Sequence, residues 1–115
     1  MSQNRNKIIG LFVGNIANSV LHKILEESVE EDIIKDHYDK EFSASLELAK
    51  KYRRRIDPVE APLPEKDIAS IKEKARRNVL AELKKRISKG YTNINLELVE
   101  STIERLLKDT KVIGK

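Results

Sequence analysis

Residues 34–56 read Ile34-Lys35-Asp36-His37-Tyr38-Asp39-Lys40-Glu41-Phe42-Ser43-Ala44-Ser45-Leu46-Glu47-Leu48-Ala49-Lys50-Lys51-Tyr52-Arg53-Arg54-Arg55-Ile56. At about 100° per residue, Ile34, Tyr38, Phe42, Ser45, Ala49, Tyr52 and Ile56 fall on one narrow stripe. Asp36, Lys40, Glu47, Lys51 and Arg54 fall opposite, with Asp36–Lys40 and Glu47–Lys51 in the favourable i,i+4 order. No Gly or Pro interrupts the run, so it predicts a long amphipathic helix over about 30–56.

The flanking segments extend the helical pattern. Upstream, Ile9, Phe12, Val13, Ile16, Val20 and Ile24 recur at three- and four-residue steps and predict a helix over about 6–27. Ile8, Leu11, Leu21 and Leu25 widen its apolar surface to a second side. Such a helix is either central in its domain or covered by a second copy of the chain. The acidic cluster around Glu27–Asp32 suggests a turn between these helices, with one continuous helix as the alternative.

Downstream, Pro58, Pro62 and Pro64 forbid regular helix and mark a semi-rigid connector over 57–64. A third helix then runs from about Pro64 to Lys89. Glu65 and Asp67 suit its positive end, and Gly90 stops it. Its core stripe is Ile68, Ile71, Ala75, Val79, Leu83 and Ile87. Asn93 or Asn95 offers an N-cap for a fourth helix over about 96–109. That helix buries Leu96, Val99, Ile103, Leu106 and Leu107. The apolar tail Lys111–Gly114 packs or forms a short strand. The expected fold is all-α: one domain over 1–115, a compact bundle of about four helices, the first three long, with a possible short extended tail.

The 115 residues carry a net charge of only +4, but the charge is sorted. No acid precedes Glu26, acids dominate 26–48, and a basic knot follows at Lys50-Lys51-Tyr52-Arg53-Arg54-Arg55. The third helix is basic again, with Lys74, Arg77, Lys84 and Lys85 on its outer face. There is no cysteine, which excludes disulfides and thiol chemistry and fits a reducing compartment. Composition suits a cytoplasmic protein and leans toward the Lys- and Glu-rich usage of thermophiles. The run Ile8–Val13 after Arg5 and Lys7 is interrupted by Asn15, Asn18 and Ser19, without a clear cleavage site. It reads as part of the fold, too short and polar to span a bilayer, and no membrane partner is expected.

The carboxylates are the one enzyme-like feature. Glu27 and Glu30 stand at i,i+3, as do Asp36 and Asp39, a spacing able to hold a divalent metal between helices. Glu27-Ser28-Val29-Glu30 resembles the E-x-x-E pair of all-α nucleotide pyrophosphohydrolases of the MazG type, though no E-x-x-D pair follows at a suitable distance. That resemblance implies a metal-dependent phosphohydrolase using Glu27, Glu30, Asp36 and Asp39. The plainer reading is a solvated acidic face. Residues 93–109 with 111–114 likewise resemble the last helix and wing of winged-helix domains, without the preceding short helix and turn. Neither His22 nor His37 has di-iron E-x-x-H spacing, and no zinc motif, phosphate loop or nucleophile elbow is present.

The favoured expectation is therefore a non-catalytic interaction module without a cofactor. Asn15, Asn18, Ser19 and His22 form a polar row on one side of the first helix, where an in-register Asn fixes helix pairing, and Gly10 and Gly14 permit close backbone approach on another side, so a homodimer is expected. Lys50, Lys51, Arg53, Arg54, Arg55, Lys74, Arg77, Lys84 and Lys85 are the candidate contacts to nucleic acid or an acidic protein. The competing assignment for the third helix is internal pairing with the acidic start of the second.

Overall fold

The computed structural model describes residues 2–57 and 61–114, with residues 2–4 as backbone alone; Pro58, Val59 and Glu60 of the expected connector lie outside it. Four helices form: α1 Ser2–Ser28, α2 Asp32–Ile56, α3 Glu65–Ser88 and α4 Leu98–Asp109. The first two are separate, broken at Val29-Glu30-Glu31.

Three contacts fix their directions. Arg5 pairs with Asp67 at 2.9 Å, which sets the starts of α1 and α3 together. Tyr91, just past α3, lies within electrostatic reach of Tyr38 near the start of α2. Arg53 in the last turn of α2 reaches the carbonyl of Thr110, past the end of α4. The helices therefore run up, down, up, down.

Helix α1 is the axis of the bundle and packs on all three others, while α3 also packs on α4. Helix α2 meets α1 alone: no Cα of α2 comes within 8 Å of α3 or α4. The centrality of α1 accounts for its two-sided apolar pattern, with Phe12, Val13, Ile16, Ala17, Val20, Leu21, Ile24 and Leu25 all buried. Ile71, Ala75, Val79 and Leu83 of α3 and Val99, Ile103, Leu106 and Leu107 of α4 complete the core. Leu96 and Ile87, expected there, are 39% and 42% exposed, Leu96 lying in the turn before α4 and Ile87 in the last turn of α3.

Two of the helices end in the same way. At α3 the Tyr91 N–H donates to Arg86 O and Gly90 N–H to Ile87 O, with Gly90 at φ 101°. At α4 the Val112 N–H donates to Leu107 O and Lys111 N–H to Lys108 O, with Lys111 at φ 62°. Both are Schellman closures, which satisfy terminal carbonyls through one left-handed residue. The tail is thus a turn and not a strand; Val112 is fully buried and accepts the Leu63 N–H at 3.1 Å. Neither Asn93 nor Asn95 caps α4: its N-cap is Glu97, without a side-chain capping bond, and Asn95 Oδ1 accepts the Glu97 N–H at 3.0 Å in the turn ahead of the helix.

The segment Arg5–Ser28 is long and apolar enough, by length and composition, to cross a membrane, with a mean hydropathy of 1.5 in its most apolar window. In this fold half of that window is buried against protein.

Candidate interaction site

The Cα traces of α2 and α3 stay more than 8 Å apart on either side of α1, and one face of α1 remains accessible. Gly10, Leu11, Gly14, Asn15, Ala17, Asn18 and Leu21 recur at three- and four-residue steps along this face. With Asn78, Val79, Ala81 and Glu82 of α3 they line a shallow groove of about 450 Å³. A Cβ added at Gly10 or Gly14 would meet nothing within 4 Å, so the backbone is approachable from outside. Leu11, 40% exposed, stands as an apolar knob beside these two hollows. Asn15 donates through Nδ2 to the Leu11 carbonyl at 2.9 Å, which fixes the side chain along the helix. On the α3 rim, hydrogen bonds and charge from Lys85 and Arg86 hold the Glu82 carboxyl below its ordinary range.

The structure thus brings Gly10, Gly14, Asn15 and Asn18, which the sequence divides between two sides of the helix, onto one accessible surface. His22 does not belong to it. Its Nδ1–H donates to the Asn18 carbonyl at 2.7 Å, and its ring lies 5.9 Å from that of Tyr38 on α2. Burial is the largest cause raising the Tyr38 phenol above its ordinary pKa, helped by Tyr91 and opposed by Arg86.

The basic knot divides. Arg53 is fully buried and leaves the list of surface contacts. Its Nε donates to Thr110 O at 3.0 Å, and Nη2 donates to Ala61 O at 2.6 Å and to Lys111 O at 2.9 Å. One guanidinium therefore joins the end of α2, the connector and the closure of α4. The fork of donors suits several carbonyls at once, which a lysine could not match. The signal was present in the sequence, since Arg53 follows Ala49 by four and Ser45 by eight on the buried stripe.

The other cations of the knot stay at the surface. Lys51, Arg54 and Arg55 are exposed and Lys50 half-buried. Among the described residues none of the four, nor Lys7, has a carboxylate within 4.0 Å. Arg55 lies 6.0 Å over the Tyr52 ring, and the two join Lys7, Ile8 and Leu11 in a cleft of about 340 Å³. Lys7 was not among the sequence candidates; only the antiparallel pairing of α1 with α2 brings it here.

Helix α3 is quieter. Arg76 and Arg77 pair with Glu73, and Lys85 and Arg86 with Glu82, all within the helix. Lys72 reaches Glu104 of α4. Lys74 and Lys84 are exposed without an ion pair among the described residues. The expected pairing between α3 and the acidic start of α2 does not form, because the two helices stand apart.

The carboxylates do not assemble a metal site. Glu27, Glu30, Asp36 and Asp39 are exposed, and Asp36 pairs with Lys40 at 3.1 Å. No group of three His, Asp or Glu among the described residues is placed to hold a metal ion. Compared with known proteins, the chain matches no family model, no curated protein and no solved structure.

Proposed function

We propose that the protein is a non-catalytic helical interaction module that pairs with a second copy through the open face of α1. The observation that carries this is the exposure of the bundle's own axis: the most apolar helix is left uncovered along Gly10, Leu11, Gly14 and Asn18. A two-fold contact needs a surface complementary to itself. Here a knob, Leu11, adjoins two hollows, Gly10 and Gly14, so Leu11 of either copy can seat over the glycines of the other. Small residues let two helix backbones approach closely, and Asn15 and Asn18 supply polar groups that fix register.

The exposed cations around Lys51 and Arg55 add a second, polar surface at the end of α2.

The test is sedimentation equilibrium at tens of micromolar, with Gly14→Gln as the blocking variant. Glutamine is compatible with helix and its Cβ meets nothing within 4 Å, so circular dichroism should be unchanged while association is lost. A wild-type chain that sediments as a monomer ends the proposal.

A further inference from the structure

We propose that the cleft between the first half of α1 and the last turn of α2 binds single-stranded nucleic acid, with backbone phosphate on Lys7 and Arg55 and a base against Tyr52. The cleft borders the self-association face, since Leu11 lines both, but its cations and aromatic ring lie outside that face.

Three observations converge there. The first is charge that the fold does not use. Lys7, Lys51, Arg54 and Arg55 lack a carboxylate neighbour among the described residues, whereas Arg76, Arg77, Lys85 and Arg86 of α3 are already paired along their own helix. Unneutralised cations carry the counterion-release term of polyanion binding; paired ones must first give up a partner.

The second is the aromatic ring. Tyr52 is half-buried, so its ring is held by the core, yet it lines the open cleft. Arg55 lies along the ring at 6.0 Å, which orders the guanidinium for a two-pronged contact to phosphate oxygens. Ile8 and Leu11 complete an apolar floor. A cationic rim around an aromatic and aliphatic floor is the arrangement on which unpaired bases stack while the backbone runs over the cations.

The third is shape. The cleft holds about 340 Å³, at the small end of ligand sites, and is recessed between two helices. A duplex keeps its base faces stacked and would meet only the rim. A single strand can turn a base into the recess. An acidic peptide could use the cations but would leave the floor and the Tyr52 ring without a partner.

The experiment uses the full chain and fluorescence anisotropy with labelled oligo(dT) and oligo(U) of about twelve nucleotides at two salt concentrations. Three variants accompany it: Lys7→Gln with Arg55→Gln, Tyr52→Leu, and Lys74→Gln with Lys84→Gln as the α3 control. The wild type should bind, and binding should weaken steeply with salt. The Lys7/Arg55 pair, exposed and unneeded for folding, should lower the salt slope by about 1.4, the value for two lost phosphate contacts to a single strand. Tyr52→Leu should weaken binding roughly five- to 150-fold, the range for one stacked base. The α3 control should bind as the wild type does. No binding at low salt overturns the proposal, as does equal loss in the α3 control or a duplex bound as tightly as the single strand. Retention of binding by a monomeric Gly14→Gln chain separates this site from the self-association face.

Discussion

Replacing Arg53 tests the packing logic of the fold at one atom group. In Arg53→Met the aliphatic stem is retained and the guanidinium removed. The carbonyls of Ala61, Thr110 and Lys111 then lose a charged donor at 2.6 to 3.0 Å. A hydrogen bond to a charged group contributes roughly 1.5–3 kcal/mol, and an acceptor left buried without one costs ~1–3 kcal/mol. Entry of water and relaxation of the tail recover part of this, so the expected loss is about 3–5 kcal/mol, similar to breaking a buried polar cluster elsewhere. Against a total stability of roughly 5–15 kcal/mol that is a large share. At about 4 °C per kcal/mol for a domain of this size, the melting temperature should fall by roughly 12–20 °C. Urea unfolding followed by circular dichroism is the assay, with Arg54→Met and Arg55→Met as exposed neighbours expected to change stability by less than ~0.5 kcal/mol. Arg53→Lys should recover only part of the loss, since an ammonium lacks the planar fork. The reasoning is refuted if Arg53→Met unfolds at the same urea concentration as Arg54→Met.

Two further outcomes follow from local geometry. Gly90 closes α3 at φ 101°, a conformation costly to any residue with a Cβ although the space around it is open. Gly90→Ala should therefore destabilise by about 1–2 kcal/mol in the same unfolding assay, and no change would deny the left-handed closure. The fold holds a proton on Tyr38, chiefly by burial. A raised phenol pKa favours the folded state below the unfolded value of about 10, and that contribution fades as pH rises through the folded value. Absorbance titration should show a phenol ionising above 10 that is missing in Tyr38→Phe; a titration unaltered by the substitution would refute it.

Much of the architecture was legible because each helix carries a stripe whose period matches its geometry. Ser45 and Ala49, Ile71 to Leu83, and Val99 to Leu107 are buried as their spacing requires. The spacing gives which side of a helix is buried, and not against what. Nothing in residues 32–56 says that α2 meets α1 alone. Arg53 was misassigned because residue type outweighed position: five cations in six residues suggest a surface, although one of them lies on the buried stripe. Its carbonyl partners are contributed by backbone up to 58 residues away, where side-chain identity carries no signal. Lys7 was missed for a related reason, since it acquires a role only when antiparallel pairing sets it beside Arg55. Gly10, Gly14, Asn15 and Asn18 were readable because they are small or uncharged at helical spacing within an otherwise apolar helix. His22 shares that spacing but turns toward the Tyr38 ring.

The most direct test of the account is the solution mass of the full chain and of Gly14→Gln, by sedimentation equilibrium at tens of micromolar. The account predicts a wild-type species at twice the 13.2 kDa chain mass and a folded variant at the chain mass. A wild-type monomer, or a variant that still pairs, would contradict the assignment of the α1 face as the contact between copies.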